Sequence, residues 1–483
     1  MNINQFPSLD KSTEELIERI GKIADENNFE VYAVGGYVRD RILKRERKEI
    51  DFLVVGDGIK FAELVSEQLN TKEIVVYKNF GTALIKYGNY NIEFVGSRRE
   101  SYTKYSRKPN IEAGTFEDDI KRRDFTINTL AFSINKKNFG EIIDLFNGYE
   151  DIQNKIIRTP LDPFVTFSDD PLRIMRAFRF AAQLNFQIEE NTLKAIEEMR
   201  ERLAIVSHER IVDEFFKIMM SDKPSIGLAL MYKTKVLEFL YPEIANMAGV
   251  EQRKDYHHKD VFWHTLEVVD NVAERSNNLW LRLAALFHDI AKPLTKAYDE
   301  KVGWTFHGHD ELGARMIRKL FTKYRFPLHK VGYIEKLVRL HLRPIALVDE
   351  NVTDSAIRRL IVAAGEDLED LITLCRCDIT SKNLEKVKAY QKNYDLVVQK
   401  IHDVTERDKL RSFQSPVRGE EIMKIFNLPP CKGVGIIKDR IENAILDGEI
   451  PNTYEAAMDY IKQHFDELNK EVEVYRNTAS SKS

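Results

Sequence analysis

Two carboxylates, Glu49 and Asp51, stand one residue apart at the head of the apolar run "IDFLVVG". On a strand, residues i and i+2 project to the same side, so both acids aim at one point. Side by side they repel unless a cation lies between them. Mg²⁺ suits such a place, being hard, oxygen-seeking and able to share carboxylates with substrate phosphates. Two such ions clamp the attacking and leaving oxygens of a phosphoryl transfer. Upstream, "VYAVGGYVRD" ends an apolar run in Gly35 and Gly36, whose bare backbone a phosphate can approach. Arg39 follows within reach of phosphate oxygens. Together these residues describe a nucleotidyl-transfer cradle. They also fit a βα turn with a solvated acidic edge, and the segment alone leaves both readings open.

The elements that must hold these groups follow from the pattern around them. "STEELIERIGKIADENN" predicts a helix with Ser12 as N-cap and Glu15 three residues on. "VYAVGG", "IDFLVVG", "EIVVYKN", "TALIKYG" and "YNIEFVGSR" predict strands, with helical "IKFAELVSEQL" among them. Residues 1–155 therefore form a mixed α/β domain. Beyond "NKIIRTPLDPF" strand signals stop, and "DPLRIMRAFRFAAQLNF", "NTLKAIEEMRERLAIV" and "SHERIVDEFFKIMM" predict amphipathic helices. Histidines then concentrate between residues 257 and 341. A charged segment near 383–412 leads to a last helical region containing "NLPPCKGVG", which reads as helix packing more than as a phosphate-binding helix start.

Composition bounds the rest. At 483 residues the chain holds two to four domains, and 43% hydrophobic with 31% charged residues is the balance of a soluble globular protein. A net charge of −4 excludes a polycation, so any nucleic-acid partner must be gripped by local basic patches. Cys375, Cys377 and Cys431 match neither a zinc spacing nor a disulfide framework, which suits a reducing, cytoplasmic setting. No apolar signal core, Arg-rich leader or membrane-length apolar stretch is visible, so no membrane partner is expected.

In order, "GGYVRDRILKRERKEID", "FEDDIKRRDFTINTLAF", "DLFNGYEDIQNKIIR", "FSDDPLRIMRAFRFAA" and "SHERIVDEFFKI" resemble the class II tRNA nucleotidyltransferases (CCA-adding enzymes) and their bacterial poly(A) polymerase relatives, over roughly residues 30–220. The resemblance implies an α+β chain: a polymerase-β-like head, then all-α neck, body and tail. It implies addition of C, C and A from CTP and ATP to the 3′ end of tRNA, with Mg²⁺ in the head. Gly35, Gly36, Arg39 and Asp40 carry over as the nucleotide segment, and Glu49 and Asp51 as the catalytic metal ligands. The family usually has Asp where Glu49 stands, one methylene shorter. Glu93 on "NIEFVG" is either a third metal-proximal acid or a polar strand residue.

"RRDFTIN" carries over as a phosphate and ribose block. Arg122 and Arg123 face phosphate, Asp124 accepts from a ribose 2′-hydroxyl, and Asn128 stiffens the site from a shared helical face. Asp144 and Gly148 carry over as the hinge. Asp170 and Arg173, at i and i+3 of one helix face, offer an acceptor edge beside a donor edge. Cytosine and adenine present the complementary pattern, whereas guanine and uracil place a carbonyl against Asp170. Asp169 stands where the family usually has Glu. Arg176 extends the basic stripe toward triphosphate or RNA, and Arg179 is either part of it or a solvated neck residue.

His264, His288, Asp289, His309, His341 and Asp378 occur in the order of the HD superfamily of metal-dependent phosphohydrolases, over roughly residues 255–385. That resemblance implies one or two divalent ions activating water against a phosphate. His257, His258 and His307 are weaker candidates. The expected domains are a head at 1–155, a base-selecting and RNA-binding neck at 156–250, an HD domain at 251–385 and an RNA-binding tail at 386–483.

Poly(A) or A-only addition is the rival within the family. "KNFGTALIKYG" looks like the CCA-type strand pair, and no strongly basic C-terminal extension is present. "ESYTKYSRKPNIEAGTF" keeps a loop that CC-only enzymes tend to lack. From other classes, an HD phosphohydrolase with a decayed head, marked by Glu49, and a non-catalytic RNA-binding protein remain alternatives.

Overall fold

The computed structural model describes residues 1–6, 10–71, 73–103, 106–250, 260–347, 353–380, 383–408 and 415–476. It divides into two units: Met1–Asn246 with Lys323–Phe326, and Met247–Thr322 with Pro327–Ser483.

The first unit begins with a mixed seven-stranded sheet. Its strands are β1 (Glu30–Val34), β2 (Glu49–Val55), β3 (Ile74–Tyr77), β4 (Thr82–Tyr87) and β5 (Tyr90–Gly96), with β8 (Ala131–Ser133) and β9 (Ile142–Ile143) after the separate hairpin β6 (Arg98–Thr103) and β7 (Ser106–Ala113). The order is β3-β4-β5-β2-β1-β8-β9. β1 and β2 are central because Val31, Ala33, Val34, Phe52, Leu53 and Val54 lie at 1% exposure or less, as near-continuous apolar strands require. β2 runs antiparallel to β1 and parallel to β5, a register that sets Val34 and Glu93 on either side of Asp51.

Around the sheet lie α1 (Lys11–Glu26), α2 (Gly36–Ile42), α3 (Gly58–Gln68) and α4 (Phe116–Lys121). Asp10, not Ser12, caps α1: its carboxylate accepts from the Ser12 amide at 3.0 Å. An aspartate two residues earlier reaches the free amides of the first turn, so the helix starts before the serine. The segment read as a loop at 100–116 is mostly the β6–β7 hairpin, paired from Arg98↔Ala113 inward, which satisfies the backbone groups a loop leaves to solvent.

Helices follow: α5 (Gly148–Asn154), α6 (Pro163–Asp169), α7 (Leu172–Leu184), α8 (Glu190–Met199) and α9 (His208–Met219). Strand does not vanish entirely, since Ile156–Ile157 pairs in parallel with Gln187–Ile188. Between α6 and α7 the chain breaks at Asp170-Pro171. Proline has no N–H and disfavours helical backbone in the residue before it; Asp170 accordingly adopts φ −137°, ψ 100°.

In the second unit the helices Val261–Ala273, Leu279–Phe287, Val331–Leu340 and Leu368–Asp378 bury Phe262, Leu283, Phe287, Leu337 and Leu371 completely. A short hairpin pairs Ala297–Asp299 with Gly303–Thr305. The helix Leu384–Asp408 follows, then a small helical core containing Ile422, Phe426, Ile437, Ile441 and Val472. Gly433, in "PPCKGVG", belongs to that packing: a Cβ there would lie 3.3 Å from Cβ of both Val472 and Tyr475. Among the described residues, no helix is long and apolar enough to cross a membrane.

Candidate functional site

The acidic wall is built by β2 and β5. Ile50 points into the core, so Glu49 and Asp51 share the opposite face. The parallel register brings Glu93 beside Asp51 on that face. Burial pushes the Asp51 carboxyl above the ordinary range, against the pull of Arg47 and Arg123; burial and then Asp51 push Glu93 up. Acids that crowd one another in this way gain from a shared divalent cation, so these three side chains fit one.

Gly35 takes φ +70°, ψ −129°, conformation that a Cβ would strain, and a Cβ there would meet the Arg123 guanidinium at 2.8 Å. One at Gly36 would meet Arg47 at 2.8 Å. Arg47 escaped the sequence reading. Its guanidinium donates to Glu49 Oε2 at 2.7 Å and to Asp40 Oδ2 at 3.0 Å. The only sequence signal was its place in a basic run, which reads equally as a solvated turn.

Arg39 is not free for phosphate as expected. It is buried, bonded to Asp40 Oδ1 at 2.8 Å and to Asn128 Oδ1 at 2.7 Å. A guanidinium removed from water needs carboxylate and amide partners, and these two supply them. Asn128 sits in the 3₁₀ turn Thr126–Asn128, not on an α-helical face, and donates to Asp124 Oδ1 at 2.9 Å. Asp124 Oδ2 accepts from Arg176 Nε at 2.6 Å. Thus Arg39, Asn128, Asp124 and Arg176 form one chain of bonds from α2 to α7. Arg122 and Arg123 both pair with Asp119, whose side chain is fully buried at the end of α4. Arg39, Arg176 and Arg179 stack over Phe180 at 5.1, 5.3 and 4.4 Å, a further contact that sequence reasoning did not foresee. Arg179 also pairs with Glu214 at 2.9 Å, so it is not a solvated residue.

Burial alone would raise Asp124, but Arg176, Asn128 and Arg173 outweigh it and hold its pKa at about 2, below the ordinary 3.8. A depressed pKa stabilises the fold fully above the ordinary value, and that stabilisation is lost as pH falls through the folded one. Asp124→Asn should therefore cost about 2 kcal/mol near neutrality, and the gap to wild type should shrink between about pH 4 and pH 2. Urea unfolding of both proteins across that range measures it.

The three acids of the wall, Asp124, Asn128 and the arginines at 39, 47, 122, 123, 176 and 179 line one cleft of about 740 Å³, together with Asp170 and Arg173. The expectation that Asp170 and Arg173 share a helix face is corrected by the Pro171 break. Asp170 lies in the extended joint, with Oδ1 accepting from the Leu172 amide at 3.1 Å and Oδ2 from Arg210 at 3.2 Å. Arg173, in the first turn of α7, donates to the carbonyls of Thr166 and Arg122. Both side chains still border the cleft. Asp144 and Gly148 do not. The Asp144 carboxylate caps α5 through the amides of Gly148 and Tyr149, at 2.8 and 2.9 Å. A Cβ on Gly148 would lie 2.2 Å from the Thr126 carbonyl, so only glycine lets α5 approach the turn carrying Asn128.

The second cluster lies within the second unit. His264, His288 and Asp378 offer ligand atoms all within 4.8 Å of one another, as do Asp289, His309 and His341. His288 Nε2 lies 3.2 Å from Asp289 and 3.3 Å from Asp378. Nδ1 of His288, His309 and His341 points at the carbonyls of Ala285, Phe306 and Val338, at 2.8, 2.7 and 2.6 Å. A carbonyl can only accept, so Nδ1 carries the proton, and a ring in its neutral form then presents the Nε2 lone pair inward. Those three Nε2 atoms and Asp289 Oδ1 are buried without a hydrogen-bond partner. Orphaned lone pairs facing one centre are what a divalent ion satisfies, so the residues fit a metal. His307 is exposed and stands apart. His257 and His258 lie outside the described residues.

The chain matches the family models for the poly A polymerase head domain at residues 31–158, the probable RNA- and SrmB-binding site of polymerase A at 185–247 and the HD domain at 261–378. It is 35% identical over 261 residues to the A-adding tRNA nucleotidyltransferase of Aquifex aeolicus, covering 54% of this chain; it spans only 31% of that protein's length. It is 33% identical over 323 residues to the Multifunctional CCA protein of Neisseria meningitidis, covering 65% of this chain and 73% of that one. Among solved structures, the Thermotoga maritima CCA-adding enzyme complexed with tRNA shares the fold, with a TM-score of 0.60 at 22% identity over 96% of this chain and 98% of that one.

Proposed function

Since the chain belongs to the class II tRNA nucleotidyltransferase and poly(A) polymerase family, we propose that it adds C, C and A from CTP and ATP to the 3′ end of tRNA without a nucleic-acid template. The observation that carries this reading is the cleft in which Glu49, Asp51 and Glu93 face the arginines at 122, 123 and 176. Carboxylates opposite guanidinium groups are what a metal–triphosphate requires on its two sides.

Glu49 and Asp51, with Glu93 alongside, hold Mg²⁺. When bound there, Mg²⁺ supplies positive charge to the phosphates and the attacking 3′-hydroxyl. Arg122 and Arg123, anchored on Asp119, neutralise charge that builds on the leaving pyrophosphate. Asp124, fixed by Asn128 and Arg176, presents its remaining lone pairs to a ribose hydroxyl. Asp170 accepts from the amino group of cytosine or adenine. Arg173 donates to the neighbouring ring nitrogen with the N–H groups not spent on backbone. Residues 1–155 act as the head, 156–250 as the neck, 251–385 as the HD domain and 386–483 as an RNA-binding tail. Asp144 and Gly148 serve as the hinge by keeping α5 tight against the Asn128 turn. The HD cluster binds a divalent metal and hydrolyses phosphate esters, with 2′,3′-cyclic and 2′-phosphates as substrates. A cytoplasmic location follows from tRNA as partner.

The test is incubation of the purified chain with labelled CTP or ATP and tRNAs lacking CCA, CA or A. Incorporation of both C and A into the shortest tRNA is expected. The likeness to the Aquifex aeolicus A-adding enzyme favours a second reading, A-only addition; labelling confined to the tRNA lacking A alone would establish it. No incorporation into any tRNA would overturn both.

Two substitutions probe the site within this assay. Glu49→Asp should preserve or raise incorporation, because the shorter side chain reaches less far toward Arg47; a loss comparable to that of Glu49→Ala would contradict it. Asp170→Ala should relax base choice more than it slows turnover. A charge-assisted hydrogen bond of about 1.5–3 kcal/mol corresponds to a roughly ten- to hundredfold rise in UTP and GTP use relative to CTP and ATP. Measuring incorporation of all four nucleotides decides it.

A further inference from the structure

We propose that Arg210 is a positioning residue for base selection, and that it works by fixing the Asp170 carboxylate from a helix separate from the one that carries Arg173. The inference rests on the reading of Asp170 as the acceptor edge and extends it to a residue that makes no base contact of its own.

Asp170 lies in no helix. Its backbone is extended, Pro171 follows, and it belongs to the body of neither α6 nor α7. An aspartate carboxylate turns about a broad two-fold torsion, so in such a joint its plane is set by whatever bonds its oxygens. Two groups do so. The Leu172 amide donates to Oδ1 at 3.1 Å, and Arg210 Nη2 donates to Oδ2 at 3.2 Å. One contact alone leaves the carboxylate free to swing about that bond, while two contacts on different oxygens define its plane. Arg210 sits in the first turn of α9, three residues after its N-cap Ser207, and borders the same cleft. The partners are part-exposed, with side-chain exposures of 45% and 23%. A pair of this kind adds little to stability. Its consequence is therefore orientation, and orientation is what discriminates between an amino group and a carbonyl at one point of a base.

Arg210 differs from its neighbours in its partner. Arg173 is engaged by the carbonyls of Thr166 and Arg122, Arg176 by Asp124 and Arg179 by Glu214. Of the arginines bordering the cleft, Arg210 is the one seen paired with Asp170.

The experiment measures single-nucleotide incorporation of CTP, ATP, UTP and GTP into tRNA lacking its 3′ end, with KM and kcat for each, on the full chain. The proteins are the wild type, Arg210→Ala, Arg210→Lys and, as the control for the underlying reading, Asp170→Ala; thermal melts check folding. Arg210→Ala should raise UTP and GTP use relative to CTP and ATP by about five- to tenfold, somewhat less than Asp170→Ala, since one oxygen stays fixed. The kcat for CTP and ATP should be nearly unchanged. Arg210→Lys should recover most of the selectivity, because an ammonium still donates to Oδ2. If Asp170→Ala relaxes selectivity and Arg210→Ala does not, the inference is overturned while the reading of Asp170 stands. Equal slowing of all four nucleotides by Arg210→Ala also overturns it, as the mark of a purely structural role. If Asp170→Ala itself stays selective, the reading of Asp170 fails and the inference falls with it.

Discussion

Asp51→Ala should lower nucleotide incorporation by about 10³-fold or more, some 4 kcal/mol of transition-state stabilisation, with the fold intact. Asp51 sits at the middle of the acidic wall, between Val34 and Glu93 in the sheet register. Its carboxyl is pushed up by burial and pulled down by Arg47 and Arg123, so in the folded protein it is a strained anion that a cation relieves. A carboxyl whose pKa the fold raises opposes folding when ionised, so its removal costs little stability and can raise it. Melting temperature should therefore hold or rise while activity collapses. Single-turnover incorporation into a tRNA lacking its 3′ end, beside a thermal melt, measures both. An Asp51→Ala protein of near-normal activity would show that the acids on β2 are an exposed strand edge and not a metal site.

The second large effect belongs to the other unit. Replacing His288 and Asp289 together by alanine should weaken divalent metal binding by at least about 100-fold, since two ligands are lost where a single supporting contact already costs ten- to a hundredfold. Elemental analysis of protein dialysed against limiting metal reads this directly. Any phosphodiesterase activity toward 2′,3′-cyclic phosphates should disappear with the metal. Nucleotide addition should persist, because every acid and arginine of the cleft lies in the first unit. His288 and Asp289 are buried, so alanine leaves space in the core. His288→Gln with Asp289→Asn keeps the volume and should lose metal without that cost. Metal content unchanged in both double variants would refute the assignment. Joint loss of both activities in the isosteric pair would refute their independence.

Much of the cleft was legible because its determinants are local. Glu49 and Asp51 share a face by the period of a strand, and no tertiary contact is needed to know it. The glycine pair, the RRD block and the order of the histidines are likewise features of spacing. The turns and joints were less legible. Ser12 yielded to Asp10 as the cap of α1, a choice between two good capping residues two positions apart. Asp170 and Arg173 were placed on one helix by counting, although Pro171 between them carries the signal for a break.

What the sequence determined by itself is therefore the chemistry at hand and the elements carrying it: carboxylates on β2, arginines after α4 and on α7, histidines and aspartates in order on later helices. What only the tertiary structure decided is which charges cancel. Arg39 was expected on phosphate, yet it bridges Asp40 and Asn128, 89 residues downstream. Arg176 answers Asp124 from 52 residues away, Arg179 meets Glu214 on another helix, and Arg210 holds Asp170 across 40 residues. The reason is physical. Periodicity fixes the direction of a side chain within one element, whereas the partner of a buried charge is chosen by whatever the fold brings within about 3 Å, and in a low-dielectric cleft that choice outweighs every local preference.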